Sequence, residues 1–328
     1  MVWRDNPTPY NVWISEIMLQ QTRIEAAKGY FNRFTEALPD IESLAAVSED
    51  KLLKLWEGLG YYNRARNLQK TAKILVEQYD SQMPREYDVL LTLPGVGPYT
   101  AGAISSIAFN EKAPAVDGNV LRVVMRYLAR EDDISKMKIR RQVEQSLLSV
   151  MPDEAGEFNQ AIMELGEVVC IPNGAPLCDR CPLQDTCTGY LGKEPQRYPN
   201  KPEKKPRRLV DYTVLLLEWK GKYGIRKRPE SGLLASLWEF PMLEFVLSAE
   251  QIKEHFENKG IMLNRITKAG KSKHIFSHVE WHMTGYHVVI SEDTPDEALL
   301  EDVLFLSTEE IIHQYSIPTA FQYFLKKL

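Results

Sequence analysis

Leu93-Pro94-Gly95-Val96-Gly97-Pro98-Tyr99-Thr100-Ala101, followed by Asp117 in Ala115-Val116-Asp117-Gly118-Asn119-Val120, is the stretch that decides the fold. Two glycines one residue apart disfavour a helix and let the backbone turn sharply. Pro98 suits the first helical position, where its missing N–H costs nothing. Ala101, Ile104, Ile107 and Ala108 then recur at helical spacing over 98–109, and Tyr87, Leu90 and Leu91 suggest a short helix before the turn. The unit reads as helix, tight glycine hairpin, helix. The N–H groups around Gly95 and Gly97 form a site for a phosphate. A lone Gly-x-Gly would sooner be an ordinary turn between packed helices.

Asp117 precedes a helical stripe of Val120, Leu121, Val124 and Leu128 and can cap that helix. The capping N–H groups and helix dipole would stabilise its carboxylate. Upstream, 10–22 reads as a helix with Tyr10, Trp13, Ile14, Ile17 and Met18 on one face. Glu16 lies off that face. A carboxyl among apolar groups stays protonated near neutral pH and can act as a general acid. Periodicity alone favours a solvated surface position for it. Gln20, Gln21 and Thr22 end the helix with groups suited to base edges.

The chain has 328 residues, 44% hydrophobic and 26% charged, as expected for a soluble globular protein of about two domains. The net charge of -5 argues against wholesale electrostatic binding of nucleic acid, although a local basic face would suffice. No apolar run spans a bilayer and no signal peptide is visible, so no membrane association and a cytoplasmic location are expected. Helices are expected over 30–38, 41–47, 49–56, 63–79, 137–151 and 157–169. Within Gly58-Leu59-Gly60-Tyr61-Tyr62-Asn63-Arg64-Ala65-Arg66, the aromatics could stack on bases and the arginines grip phosphate, or pack as core and surface. Cys170, Cys178, Cys181 and Cys187 have gaps of seven, two and five residues (178−170−1, 181−178−1, 187−181−1). Four crowded thiolates suit an iron–sulfur cluster or zinc, and the single Cys-x-x-Cys pair favours the cluster.

Residues 1–188 therefore read as an all-α domain. A basic, proline-rich linker follows over 189–208, with Lys201, Lys204, Lys205, Arg207 and Arg208. Residues 209–328 read as α+β: strands over 212–219 and 225–228 around a turn, a helix over 251–259, strands within 274–290 and a helix over 308–315.

Taken together, the chain resembles the MutY family of A/G-mismatch adenine DNA glycosylases, within the helix-hairpin-helix base-excision superfamily. The resemblance covers nearly the whole length. It rests on Trp3-Arg4, Ser15-Glu16-Ile17-Met18-Leu19-Gln20-Gln21-Thr22, Gly58-Leu59-Gly60-Tyr61-Tyr62, the hairpin, Val116-Asp117-Gly118-Asn119, Phe158-Asn159-Gln160-Ala161 and the cysteines. It implies a multidomain protein: an all-α helix-hairpin-helix glycosylase domain with an iron–sulfur module, then an α+β Nudix-like domain. The implied substrate is double-stranded DNA in which adenine faces 8-oxoguanine or guanine. The adenine leaves the stack before its glycosidic bond is hydrolysed.

By the same resemblance, Glu16 protonates adenine N7 and Asp117 stabilises the sugar cation, with Tyr99 and Asn119 in support. Arg4 and Gln160 hold the base, in a site that also includes Leu19 and Gln20. Gln21 and Tyr61 wedge the duplex, and Thr22 faces the oxidised guanine. Phe276, Ser277 and His278 match the loop that reads 8-oxoguanine. The cysteines bind a [4Fe–4S] cluster, and carbonyls of Leu91, Leu93 and Val96 hold a monovalent cation or calcium. A monomer in the bacterial cytoplasm, at the nucleoid, is implied. The family usually has six residues between its first two cysteines; the seventh here falls in the turn at Pro172-Asn173-Gly174. The family also carries a further helix before Trp3-Arg4, so the N-terminus is expected to be either truncated or without it.

Three rival readings remain. An endonuclease III-like glycosylase/lyase would need a Schiff-base lysine where this chain has Tyr99. A non-catalytic DNA-binding iron–sulfur protein would leave Glu16 and Asp117 without a purpose. A nucleotide pyrophosphatase would need the acidic Nudix signature, which Gly232-Leu233-Leu234-Ala235-Ser236-Leu237-Trp238-Glu239-Phe240 lacks.

Overall fold

The computed structural model describes residues 2–22, 24–200, 206–295 and 301–328. Lys201, Lys204 and Lys205 of the expected linker lie outside the described residues. Two compact units form: Met1–Val47 with Asn63–Lys204, and Ser48–Tyr62 with Lys205–Leu328.

The first unit is helical. Its helix Pro9–Leu19 is capped by Thr8, whose hydroxyl accepts from Asn11 N–H. Tyr10 and Val12 through Met18 are all buried, so this is a core helix. It ends at Leu19 rather than at residue 22. Gln21 takes φ 59°, and Arg64 Nη1 donates to the carbonyls of Ile17, Met18 and Gln20 at 2.7, 3.0 and 2.6 Å. Those carbonyls have no helical partner, and the guanidinium supplies one. Arg64, for which the sequence left phosphate binding and a surface position both open, is thus a half-buried helix cap. The second helix, Ile24–Ala37, is longer than expected and buries Ala27, Phe31 and Phe34.

The hairpin appears as expected, with Tyr87–Leu90 before it and Pro98–Ala103 after it. The latter runs into a π turn, Ile104–Ala108, and the helix Ala155–Glu164 into another, Leu165–Val169. The sequence had suggested regular helices in both places. Two close approaches flank these wider turns. A Cβ on Gly102 would lie 2.2 Å from the Pro114 carbonyl oxygen, and one on Gly166 would lie 2.6 Å from Asn119 Cβ. Both contacts seat the segment that carries Asp117.

The second unit holds a seven-stranded sheet. Its strands are β1 (Arg208–Trp219), β2 (Lys222–Lys227), β3 (Trp238–Glu239), β4 (Met242–Glu244), β5 (Leu263–Ile275), β6 (Val279–Ile290) and β7 (Val303–Leu306). The order is β3-β2-β1-β6-β5, with β4 against β1 and β7 against β2. β1 and β6 are parallel; the other pairs are antiparallel. Both faces of β1 are buried, which explains its unbroken apolar run. Val214 and Leu216 pack with Trp281, Met283, Phe321 and Phe324 on one face. Leu215 and Leu217 pack with Tyr286 and Val288, under Ile252 and Phe256 of the helix Ala249–Glu257, on the other. The short strands β3, β4 and β7, and β5 before His274, carried no readable sequence pattern. No helix among the described residues is long and apolar enough to cross a membrane.

Candidate active site

One cavity of about 830 Å³ in the helical unit collects residues from five separate segments. Arg4, Glu16, Leu19, Gln20, Gln21, Thr22, Tyr99, Asp117, Asn119 and Gln160 all line it. Sequence reasoning had singled out each of these.

Glu16 is only 7% exposed, against the surface position that periodicity favoured. The apolar face of its helix does not contain it; the hairpin helix and its π turn cover it from the other side. Burial pushes its pKa up to about 7. A hydrogen bond from Tyr99 Oη and the charge of Arg4 pull it down, while Asp117 pushes it up. Tyr99 itself is held far above its ordinary pKa by burial and by Glu16, so it is a neutral donor.

Asp117 caps the helix Gly118–Tyr127 as expected, with Oδ1 accepting from Val120 N–H at 2.7 Å. Its Oδ2 accepts from Asn119 Nδ2 at 2.9 Å. Burial raises its pKa; the Val120 and Asn119 N–H groups, the Asn119 amide and Arg122 oppose that rise. The two carboxyls thus differ. Glu16 has one hydrogen-bond donor in an apolar wall, whereas Asp117 sits in a cradle of several.

Arg4 forms an ion pair with Glu164 across the cavity wall. Gln20 Nε2 donates to Thr100 Oγ1 at 3.3 Å, and Gln160 Nε2 to the Gly156 carbonyl at 3.3 Å. Thr22 Oγ1 is buried, with no hydrogen-bond partner among the described residues. At the hairpin, Gly95 (φ 77°) lies against Asn67, and Gly97 opens the next helix without a side-chain cap. Val96 N–H bonds back to the Leu93 carbonyl at 3.1 Å.

Sequence reasoning gave no role to several residues that hold the site. Asn159 is buried; its Nδ2 donates to Ser106 Oγ and the Ala113 carbonyl at 2.8 Å each, and its Oδ1 accepts from Ala115 N–H at 3.0 Å. It anchors the strand of chain leading to Asp117. Arg140 donates to the Val116 carbonyl and lines the cavity, as do Glu164 and Glu167. Only Asn159 carried a signal, as part of Phe158-Asn159-Gln160-Ala161. The charged residues sit in amphipathic helices, where such side chains ordinarily face water.

Cys170, Cys178, Cys181 and Cys187 are free, half-buried thiols lining one small cavity with Arg126. Arg126 Nη1 lies 3.3 Å from Cys170 Sγ. Burial, and the charge of neighbouring thiolates, push the Cys178 and Cys181 thiols up. Four thiolates together therefore need a cationic centre. Among the described residues no three His, Cys, Asp or Glu side chains are grouped around a position for one metal ion. Four soft thiolate donors around one small cavity suit what an iron–sulfur cluster takes as ligands. The residues between Cys170 and Cys178 include an exposed bend with Gly174 at φ 74°.

In the second unit, Phe276, Ser277 and His278 form the tip between β5 and β6. Phe276 packs on Trp281 with ring centroids 4.8 Å apart, while Ser277 and His278 are exposed. Tyr61, at φ 48° beside Gly60, has its hydroxyl 3.1 Å from Ser277 Oγ. Glu239 is buried between Arg226 and Arg228 and paired with both.

Comparison with known proteins agrees with this geometry. Residues 14–147 match the HhH-GPD superfamily of base excision DNA repair proteins, and residues 212–327 match the NUDIX domain family. The chain is 33% identical to an adenine DNA glycosylase of Buchnera aphidicola subsp. Baizongia pistaciae, over 88% of this chain and 82% of that protein. It is 34% identical to that of Schizosaccharomyces pombe, over 93% and 77%, and 33% identical to the human enzyme, over 95% and 66%. Among solved structures, a thermostable thymine-DNA glycosylase aligns at TM-score 0.54 and 27% identity, covering 58% of this chain and 88% of that one. An endonuclease III–DNA covalent intermediate aligns at 0.50 and 29%, covering 57% and 86%. The chain belongs to the adenine DNA glycosylase family, base-excision repair hydrolases that act on N-glycosyl bonds.

Proposed function

We propose that this glycosylase removes adenine paired with 8-oxoguanine, or with guanine, by hydrolysis after the base has left the duplex. The observation that carries this reading is the unlike pair of carboxyls in one cavity, Glu16 buried and able to hold its proton up to about pH 7, and Asp117 cradled by donors. Glu16 delivers a proton to adenine N7, which makes the base a better leaving group. Asp117 stabilises the cationic sugar, or bonds to it transiently, until water completes the reaction. Tyr99 orients the Glu16 carboxyl, and Asn119 orients that of Asp117. Arg4, Gln160, Leu19 and Gln20 hold the extruded base. Gln21 and Tyr61 fill the space it leaves, and Thr22 faces the opposite base.

The enzyme is monofunctional. No lysine lines the cavity among the described residues, and Tyr99 occupies the hairpin position that a Schiff-base lysine would need. Ser277 and His278, exposed at the β5–β6 tip, read 8-oxoguanine. The Nudix-like module binds without hydrolysing nucleotides, because Glu239 is tied to two arginines. Catalysis belongs to residues 1–188 and lesion reading to 209–328, joined by 189–208. Cys170, Cys178, Cys181 and Cys187 hold a [4Fe–4S] cluster, which when bound ties the loop 170–187 together and supplies a redox centre. Gly95 and Gly97 present N–H groups to a DNA phosphate, over a cation held by the Leu91, Leu93 and Val96 carbonyls. The protein acts as a monomer on DNA in the bacterial cytoplasm.

Product analysis on a duplex with one adenine opposite 8-oxoguanine tests this reading. Free adenine and an intact abasic strand are expected. Borohydride trapping of the protein on that DNA, at the level of a true lyase, would replace the monofunctional assignment.

A further inference from the structure

Among the described residues, six charged side chains line the active-site cavity: Arg4, Glu16, Asp117, Arg140, Glu164 and Glu167. Four are carboxyls, yet the substrate is a polyanion. Arg4 is already paired with Glu164. Among the described residues Arg140 forms no ion pair, although Glu144, one turn further along its helix Met137–Val150, feels its charge. Arg140 Nη1 donates to the carbonyl of Val116, the residue before Asp117. That bond ties the guanidinium to the residue before the catalytic carboxylate, and among the described residues its Nε and Nη2 donors have no hydrogen-bond partner. Adenine and deoxyribose carry no negative charge, so the anion that reaches this place is the phosphodiester. A planar guanidinium matches two phosphate oxygens at once.

We infer that Arg140 grips the phosphate flanking the nucleotide whose base is removed, and so sets the sugar against Asp117. This rests on the active-site assignment proposed above.

The test uses the cluster-loaded full chain and a duplex carrying 2′-fluoro-2′-deoxyadenosine opposite 8-oxoguanine. The fluorine disfavours the sugar cation, so binding is measured without turnover. Each flanking phosphate is replaced in turn by an uncharged methylphosphonate. Arg140→Gln is expected to weaken binding to the unmodified duplex by about tenfold. The slope of log K against log salt should become shallower by about 0.9. At one of the two positions, methylphosphonate should weaken the wild type and leave Arg140→Gln unaffected. Arg140→Lys should recover part of the affinity. Losses that simply add at both positions, or an unchanged salt slope beside a lowered melting temperature, would make Arg140 a structural prop of Val116 and overturn the inference. Failure of the wild type to release adenine from the ordinary duplex would instead overturn the active-site assignment, so the two failures are distinguishable.

Discussion

Tyr99, half-buried in the cavity wall, donates its hydroxyl proton to the buried Glu16. The bond favours the ionised form of Glu16, while burial favours the neutral form and wins, leaving its pKa at about 7. The general acid is thus poised near neutrality by two opposed effects.

The rate of base release should follow protonated Glu16 and fall as pH rises above about 7. Tyr99→Phe removes the hydrogen bond that lowers the pKa, so the alkaline limb should move to higher pH. Single-turnover rates across pH for both proteins check this, and coincident profiles would detach Tyr99 from the titration.

The same shift bears on stability. The folded pKa of about 7 lies above the ordinary value of 4.5, so the folded protein holds the proton more tightly. Stability from this group is fully present below about 4.5 and is lost as pH rises to about 7, by on the order of 3 kcal/mol. Glu16→Gln should flatten that part of the pH–stability curve, as denaturant melts at several pH values would report.

Asp117→Asn should retain the fold, because asparagine caps helices as well as aspartate does. It cannot carry the negative charge that stabilises a sugar cation. Base release should fall by at least about 100-fold while DNA still binds. Near-wild-type turnover in this variant would remove Asp117 from the chemistry.

Asn159→Ala should act on Asp117 from a distance. It strips partners from the Ala113 carbonyl, Ala115 N–H and Ser106 hydroxyl in a buried place. A loss of about 2 kcal/mol in stability is expected, with slower base release at unchanged DNA affinity. Thermal melts together with single-turnover kinetics measure the two effects separately.

Ser277→Ala with His278→Ala should still excise adenine but discriminate less between 8-oxoguanine and guanine. The change is on the order of 1–3 kcal/mol, from the hydrogen bonds lost. The ratio of affinities for the two duplexes is the readout. If it does not change, Gln21, Thr22 and Tyr61 make the distinction alone.

Local chemistry made much of this protein legible from its residues in order. The glycine hairpin, the Asp117 cap and the crowded cysteines are short-range features, set by φ preference, capping and ligand type. The apolar run of β1 showed a strand, and helical periodicity showed most of the helices. The state of Glu16 was not legible, because its burial comes from a helix some eighty residues later in the chain. The end of its own helix depends on Arg64, whose capping bonds cross more than forty residues. The π turns arise where Gly102 and Gly166 let distant backbone come close. Asn159 stood out only as part of its motif and Arg140 not at all; both gain their roles beside the segment before Asp117. Periodicity reports which face of an element is apolar; only the packed structure decides what covers the other face, and here that decision makes a surface-looking glutamate into the buried acid.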